Sequence, residues 1–258
     1  MRKHWPVYAL VTLLNAAGIA AGQPAALPTA AEIVARMAAQ DLKRQSAIEG
    51  YSGMRRYILE NPSLQKRSEM LVQVRGDRDG TKHFEVVCEE GWKAANTHVL
   101  RKMLESESET SRPDLRATTR LNFANYDFQV IKFETFGGHL AYVLDVKPKR
   151  KDKYLFEGYI WVDAEDYALI RAEGSPAKNP SFWTKSTHFV QLYQKNGDLW
   201  FPLSTRSVTE VRIFGTTEVN IAYFDYAPTK TNAGENSLVS VNQARQTSFM
   251  EEANGDNE

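Results

Sequence analysis

The residue types that most often carry chemistry are few in this chain, and their spacing is poor. Of its five histidines, His83, His98, His139 and His188 lie in the body of the sequence. None has the close His/Asp/Glu spacing that a zinc site requires. No Gly-x-Ser-x-Gly elbow, phosphate loop or dinucleotide fingerprint occurs. Asp163, Glu165 and Asp166 crowd one short stretch, and a carboxylate pair could serve acid–base work. The same residues are what a solvated hairpin turn selects, because aspartate side chains satisfy backbone N–H groups there. His188, between Thr187 and Phe189, reads as a half-buried structural residue. Cys88 is the sole cysteine, so no internal disulfide exists. Within the apolar run 84–88 it reads as a small buried hydrophobe. The sequence therefore offers no catalytic residue, no metal ligand set and no cofactor motif, and it argues for a binding protein over an enzyme.

Charge narrows the partners. Lysine plus arginine equals aspartate plus glutamate, at 32 each. Binding to a polyanion by counter-ion release needs a basic surplus, so nucleic acid is disfavoured. The amino terminus has the build of a secretory signal peptide: basic Arg2, Lys3 and His4, an uncharged apolar run over 7–21, then small Ala20, Ala21 and Gly22. At about 15 residues the run is shorter than the roughly 20 that span a bilayer. Cleavage is expected after Gly22, and no cysteine lies there to be acylated. Removing Arg2 and Lys3 leaves 30 basic against 32 acidic residues, a nearly neutral chain expected to be soluble in the periplasm.

The elements follow from periodicity. After a linker at 23–28, Thr29 and Glu32 form a capping box for a helix over 29–47. Its apolar stripe is Ile33, Met37 and Leu42. A strand over 50–60 stops at Asn61–Pro62. Met70, Val72 and Val74 alternate with Leu71, Gln73 and Arg75. Phe84, Val86 and Cys88 do the same after an Asp/Gly turn, which predicts a hairpin. Val99, Leu100, Met103 and Leu104 sit at helical spacing and predict a second helix over 94–105, with 105–111 as a solvated loop ending near Pro113. Strand grammar is dense from 125 to 226, with short polar or glycine-containing separators, so an antiparallel meander is expected, giving roughly ten strands in all. Residues 228–258 lose the alternation and read as a largely disordered polar tail.

Such a meander must bury one face, and two helices are too few to cover both. The economical solution is a strongly curved antiparallel sheet with helices in its mouth, mainly β in class, which creates an apolar cavity between the layers. The alternating apolar positions Val72, Val74, Phe84, Val86, Phe128, Val130, Leu140, Tyr142, Leu144, Val146, Phe156 and Ile160 are expected to line it. Trp183, Trp200 and Phe201 border proline-containing turns and are candidates for the cavity rim.

Several motifs in the second half occur in a telling order: Asn125-Tyr126-Asp127-Phe128, Tyr142-Val143-Leu144-Asp145-Val146, and Lys147-Pro148-Lys149-Arg150. They continue with Tyr154-Leu155-Phe156-Glu157-Gly158-Tyr159-Ile160-Trp161-Val162-Asp163, Leu169-Ile170-Arg171, and Pro180-Ser181-Phe182-Trp183. Trp200-Phe201-Pro202, Ile213-Phe214-Gly215 and Ile221-Ala222-Tyr223-Phe224-Asp225-Tyr226 complete the set. Together they resemble the outer-membrane lipoprotein-sorting proteins, the LolA-like superfamily of periplasmic lipoprotein carriers. The resemblance implies an open half-barrel domain, here 29–227, whose helices cover a concave apolar cavity for acyl chains. It implies a carrier of lipid or acylated polypeptide toward the outer membrane, with a membrane-associated donor or acceptor protein. The same fold also resembles part of the periplasmic envelope-stress regulators, so a sensor that binds a membrane anti-sigma protein is the alternative.

Overall fold

The computed structural model describes residues 27–229. The expected signal peptide and most of the polar tail lie outside the described residues. Ten antiparallel strands form one continuous open sheet in the order β3-β2-β1-β10-β9-β8-β7-β6-β5-β4. β1 is Gly50–Asn61, β2 Lys66–Asp77 and β3 Lys82–Gly91. The meander runs β4 Tyr126–Phe136, β5 His139–Pro148, β6 Phe156–Asp163, β7 Leu169–Pro176, β8 Thr184–Asn196, β9 Leu199–Val211 and β10 Gly215–Pro228. It is stitched to the first hairpin by the pairing of β1 with β10, far apart in sequence. The edges β3 and β4 do not meet, so the sheet is an open half-barrel and not a closed one.

Helix α1 (Ala30–Ser46) starts as its sequence dictates. Thr29 Oγ1 accepts from the Glu32 N–H at 3.3 Å, while the Glu32 carboxylate accepts from the Thr29 N–H at 2.7 Å. Ile33 and Val34 are buried and Met37 packs beside them, but Leu42 is 58% exposed. Leu42 is nine residues beyond Ile33; at about 100° per residue it points to the opposite side, so the stripe ends at Met37.

The chain between β3 and β4 is helical well past its expected end. α2 (Lys93–Ala95) passes through a π-helical turn at Asn96–Leu100 into α3 (Arg101–Ser111), and α4 (Pro113–Thr119) follows. The stretch expected to be a solvated loop is thus the last part of α3. α4 begins at Pro113, a residue suited to a first helical turn.

Bulges change which face several side chains meet. Leu71 pairs with Cys88 but Val72 with Val86, leaving Val87 as the extra residue. Cys88 is thereby moved off the side shared by Phe84 and Val86, and it is half-buried. Another bulge, at Ile170, puts that side chain on the outer face with Ala141, Val143 and Trp161. Between β6 and β7, Gly158 and Gly174 approach so closely that a Cβ on either would collide with the carbonyl of Glu173 or Glu157. Their φ values of +151° and +157° suit only glycine.

The helix-bearing face holds two cores. One places Leu100 and Leu104 of the inserted helices on Tyr57, Leu59, Met70, Val72, Val74, Phe201 and Ile221. The other places Ile33 and Val34 of α1 on Tyr126, Leu144, Val146, Ile160, Val162 and Tyr167.

Candidate functional site

Between these cores lies a cleft of about 310 Å³. Its roof comes from Thr110 at the end of α3, Thr119 at the end of α4 and Leu121 just beyond. Its floor is Phe156 of β6, Leu169 and Ala172 of β7, and Phe189, Gln191 and Tyr193 of β8, with Tyr126 and Tyr154 at the side. The spacing of two along β8 is what strand alternation requires for a common face. The rings are set against one another: Phe156 meets Phe189 edge-on at 5.3 Å and lies 5.9 Å from Tyr126. Burial pushes the Tyr126 hydroxyl up to about 12, and it raises that of Tyr193 as well. Both stay neutral, as an apolar site needs. The lining contains no carboxylate, imidazole or ammonium among the described residues; its polar groups are hydroxyls and the Gln191 amide.

The wall behind Tyr193 is of another kind. Arg55 of β1 is 1% exposed, faces inward beside Tyr57, and is held by Glu107 of α3 through two hydrogen bonds of 2.7 and 3.1 Å. Its Nε donates to the Tyr226 hydroxyl at 2.8 Å, and its guanidinium lies 4.8 Å over Tyr223 and 5.0 Å over Phe84. Lys82 Nζ reaches the same Glu107 at 2.7 Å. Although burial opposes it, the Lys82 and Arg55 charges hold the Glu107 carboxyl well below the usual carboxylate range. The Ser108 hydroxyl donates to the Lys82 carbonyl and the Lys82 N–H donates to Ser111 Oγ, so α3 is also clipped to the edge strand β3. The periodicity of residues 105–111 concealed this. Arg55 was the available signal, a charged residue at an inward-facing position of an alternating strand.

The residues expected to line a cavity are spread over both cores. Val72 and Val74 are buried in the first, where Phe84 and Val86 pack against them. Leu144, Val146 and Ile160 are buried in the second, with Phe128, Val130, Tyr142 and Phe156 packed beside them. Of the twelve, Phe156 lines the cleft. Leu140 is 56% exposed, because it stands two residues from the Gly137–Gly138 turn and beyond the reach of α1. Among the aromatic rim candidates, Phe201 is buried in the first core. Trp200 lies on the outer face, donating to Asp166 Oδ2 at 2.7 Å, and Trp183 is exposed at one end of the sheet.

The carboxylates of the 163–166 turn act structurally. Asp163 is buried, not solvated. Its Oδ1 accepts from the N–H groups of Glu165 and Asp166, both at 2.9 Å, and Oδ2 lies 2.9 Å from His139 Nδ1. His188 is exposed and borders a second cleft, about 350 Å³, on the outer face with Asp145, Lys147, Glu157, Tyr159 and Glu173. That lining is charged and unsuited to an apolar ligand. Among the described residues, no group of three or more His, Cys, Asp or Glu is placed to hold a metal ion. No helix among them is long and apolar enough to cross a membrane.

An open antiparallel half-barrel, covered by helices and cleft by an aromatic-lined gap, defines the class of this protein. Residues 119–226 match the sequence profile of a family described as of unknown function, DUF5686. That segment nearly coincides with residues 125–226, where the ordered strand motifs of the sequence lie. No curated protein matches the chain by sequence. The solved structures similar to it include a DUF1329 family protein from Desulfovibrio piger, with TM-score 0.41 and 11% identity over 78% of this chain and 94% of that one. A domain described as an outer membrane lipoprotein-sorting protein from Vibrio parahaemolyticus gives TM-score 0.39 and 13% identity over 79% and 96%. A LolA superfamily protein from Nitrosomonas europaea gives 0.37 and 11% over 80% and 96%.

Proposed function

We propose that this protein is an exported, periplasmic carrier that holds an acyl chain of a lipid or lipid-modified polypeptide in the cleft between its two helix-covered cores. One observation carries the reading. The sheet packs solidly under α1 and under α3, yet a gap remains at the edge of the second core, against Ala172 and the half-buried Leu169, Phe156 and Phe189. Packed interiors hold few voids larger than a water molecule, and this cleft exceeds that size. Its volume lies at the lower end of the roughly 300–1,000 Å³ typical of ligand pockets, so it suits one chain and not several. Binding draws on apolar burial, about 0.8 kcal/mol per methylene. The neutral lining supplies the uncharged surroundings an acyl chain requires and no group for hydrolysing it. A membrane-associated donor loads the carrier and an acceptor unloads it by offering a competing apolar surface.

The test is titration with a dansyl-labelled medium-chain fatty acid, paired with mass spectrometry of lipids that co-purify from the native envelope. The carrier reading expects saturable one-site binding and a bound lipid class. Absence of both would turn the reading to the regulatory one, in which the half-barrel binds a membrane protein partner.

A further inference from the structure

One end of the sheet gathers apolar side chains that stay exposed among the described residues. Phe182 and Trp183, in the loop before β8, are 76% and 52% exposed. Ile213 and Phe214, in the turn between β9 and β10, are 63% and 47% exposed. These two segments are neighbours. The last ladder pair of β8 with β9 is Thr184 with Val211, so both loops lie just beyond the same end of the same strand pair.

They are also built to hold this position. The Arg212 N–H donates to the Trp183 carbonyl at 2.9 Å and its Nε donates to the Phe182 carbonyl at 3.0 Å. The Arg212 guanidinium lies 5.2 Å from the centre of the Phe182 ring, which itself meets Trp183 edge-on at 5.4 Å. Asn61, at the end of β1, donates to the Phe214 carbonyl at 2.9 Å. Three segments therefore brace a cluster whose backbone is satisfied while its large side chains face solvent.

Within the two loops themselves the charges are basic, while Glu210 and Glu218 stand just outside them and Glu218 is paired with Arg206. Residues 177–187 contain Lys178 and Lys185, residues 211–217 contain Arg212, and neither segment contains an acidic residue. All three cations are exposed, and none has a salt-bridge partner among the described residues. Aromatic side chains at loop tips, beside exposed basic groups that form no ion pair among the described residues, match an anionic bilayer surface. The rings settle at the headgroup boundary while the cations meet phosphates. A protein partner fits less well, because lysine is depleted from protein–protein interfaces, and two of the three cations are lysines.

We infer that the rim formed by Phe182, Trp183, Ile213 and Phe214, with Arg212, Lys178 and Lys185, is a docking surface for an anionic phospholipid membrane. This does not rest on the acyl-binding reading. The rim is distinct from the cleft, and each has its own variants.

The experiment is flotation of the mature chain with vesicles of phosphatidylglycerol and phosphatidylethanolamine, and with vesicles of phosphatidylcholine alone. Binding is expected to the anionic vesicles and to weaken as salt is raised, since salt screens exposed charges. The double variant Phe182→Ser/Trp183→Ser is expected to lose about tenfold in vesicle partitioning, the equivalent of losing roughly two buried methylenes or more. Lys185→Glu with Arg212→Glu is expected to lose binding to anionic vesicles specifically. Trp183→Phe keeps an aromatic ring, so it is expected to bind while losing the part of the tryptophan quenching by brominated lipids that comes from this position. Gln191→Trp, which fills the cleft, is expected to bind vesicles normally. No binding to anionic vesicles, binding unchanged in the serine variant, or quenching unchanged in Trp183→Phe would each overturn the inference. So would a concentration-dependent dimer in sedimentation that the serine variant abolishes, since a second copy would then be the occupant.

Discussion

The two halves of the helix-bearing face are closed in different ways. Over β4–β7, α1 lays down Ile33, Val34 and Met37, and its polar ties are few: Arg36 donates to the Tyr167 hydroxyl at 2.5 Å and Arg44 to the Asp166 carbonyl at 3.2 Å. Over β1–β3 and β10, α3 adds to its leucines a buried ion cluster, in which Glu107 is shared between Arg55 and Lys82. Apolar contacts are non-directional and tolerate sliding. A carboxylate that answers a buried guanidinium has only one acceptable position, because elsewhere the arginine charge stands uncompensated. The comparison makes α3 the fixed wall of the cleft and α1 a separate cover on the second core, held by apolar contacts and two side-chain hydrogen bonds.

Breaking the fixed wall gives the largest effect. Glu107→Ala leaves Arg55 buried without its counter-charge. Since the carboxylate itself is one-third exposed, the expected loss is about 2–3 kcal/mol, at or below the low end for buried pairs. Urea unfolding monitors it. Replacing both partners, Arg55→Met with Glu107→Leu, is expected to recover most of the loss, because an apolar pair has no charge to strand. Acid should reach the same cluster. Glu107 has a folded pKa depressed below its unfolded value. Its stabilisation is therefore complete above about 4.3 and declines as pH falls from there toward the depressed folded value. Urea midpoints at neutral pH and in the acid range check the direction, and Glu107→Ala should flatten the slope. At the surface Glu218, held at about 2 by Arg206 and Asn220, adds to the same trend.

Loosening the cover gives less. Ile33 is fully buried, and Ile33→Ala is expected to cost about 2 kcal/mol, the low end for such truncations, because a helix with few other ties relaxes into the space. Hydrogen exchange should show the loss of protection concentrated in Ala30–Ser46, with the sheet protected as before. A loss spread over β4–β7 would mean that α1 is as integral as α3. The smallest effect belongs to the cap. Thr29→Ala removes one half of an exposed capping box, for about 1 kcal/mol, and circular dichroism during thermal unfolding should register it.

Much of this architecture was readable in the residues. Strand alternation from Tyr142 to Val146, the capping box at Thr29 and Glu32, and the Asp77–Gly80 turn each state a local preference that the whole fold agrees with. Curvature and the ten-strand count follow from the same grammar. What was hidden depends on contacts between distant segments. The helical continuation through Glu107 is polar in sequence, and only pairing with Arg55 on β1 and Lys82 on β3 gives that polarity a buried partner. The bulges at Val87 and Ile170 shift Cys88 and Ile170 to another face, and nothing local marks them. The cleft is harder still to foresee, since it exists where Thr110, Thr119 and Leu121 fail to reach Phe189 and Gln191, a property of packing and not of any motif.

The most direct test of the carrier account is a comparison of fatty-acyl probe affinity in the wild type and in Gln191→Trp. Gln191 is half-buried on β8 and faces the cleft, and tryptophan suits a strand, so the fold should survive, which circular dichroism can verify. Leu121→Trp fills the same space from the roof and guards against a local failure of the first variant. The account predicts saturable binding by the wild type and a loss of at least about tenfold in both variants, the effect of excluding some two methylenes of chain. Equal affinity in the wild type and both folded variants would place the acyl chain elsewhere and contradict the account.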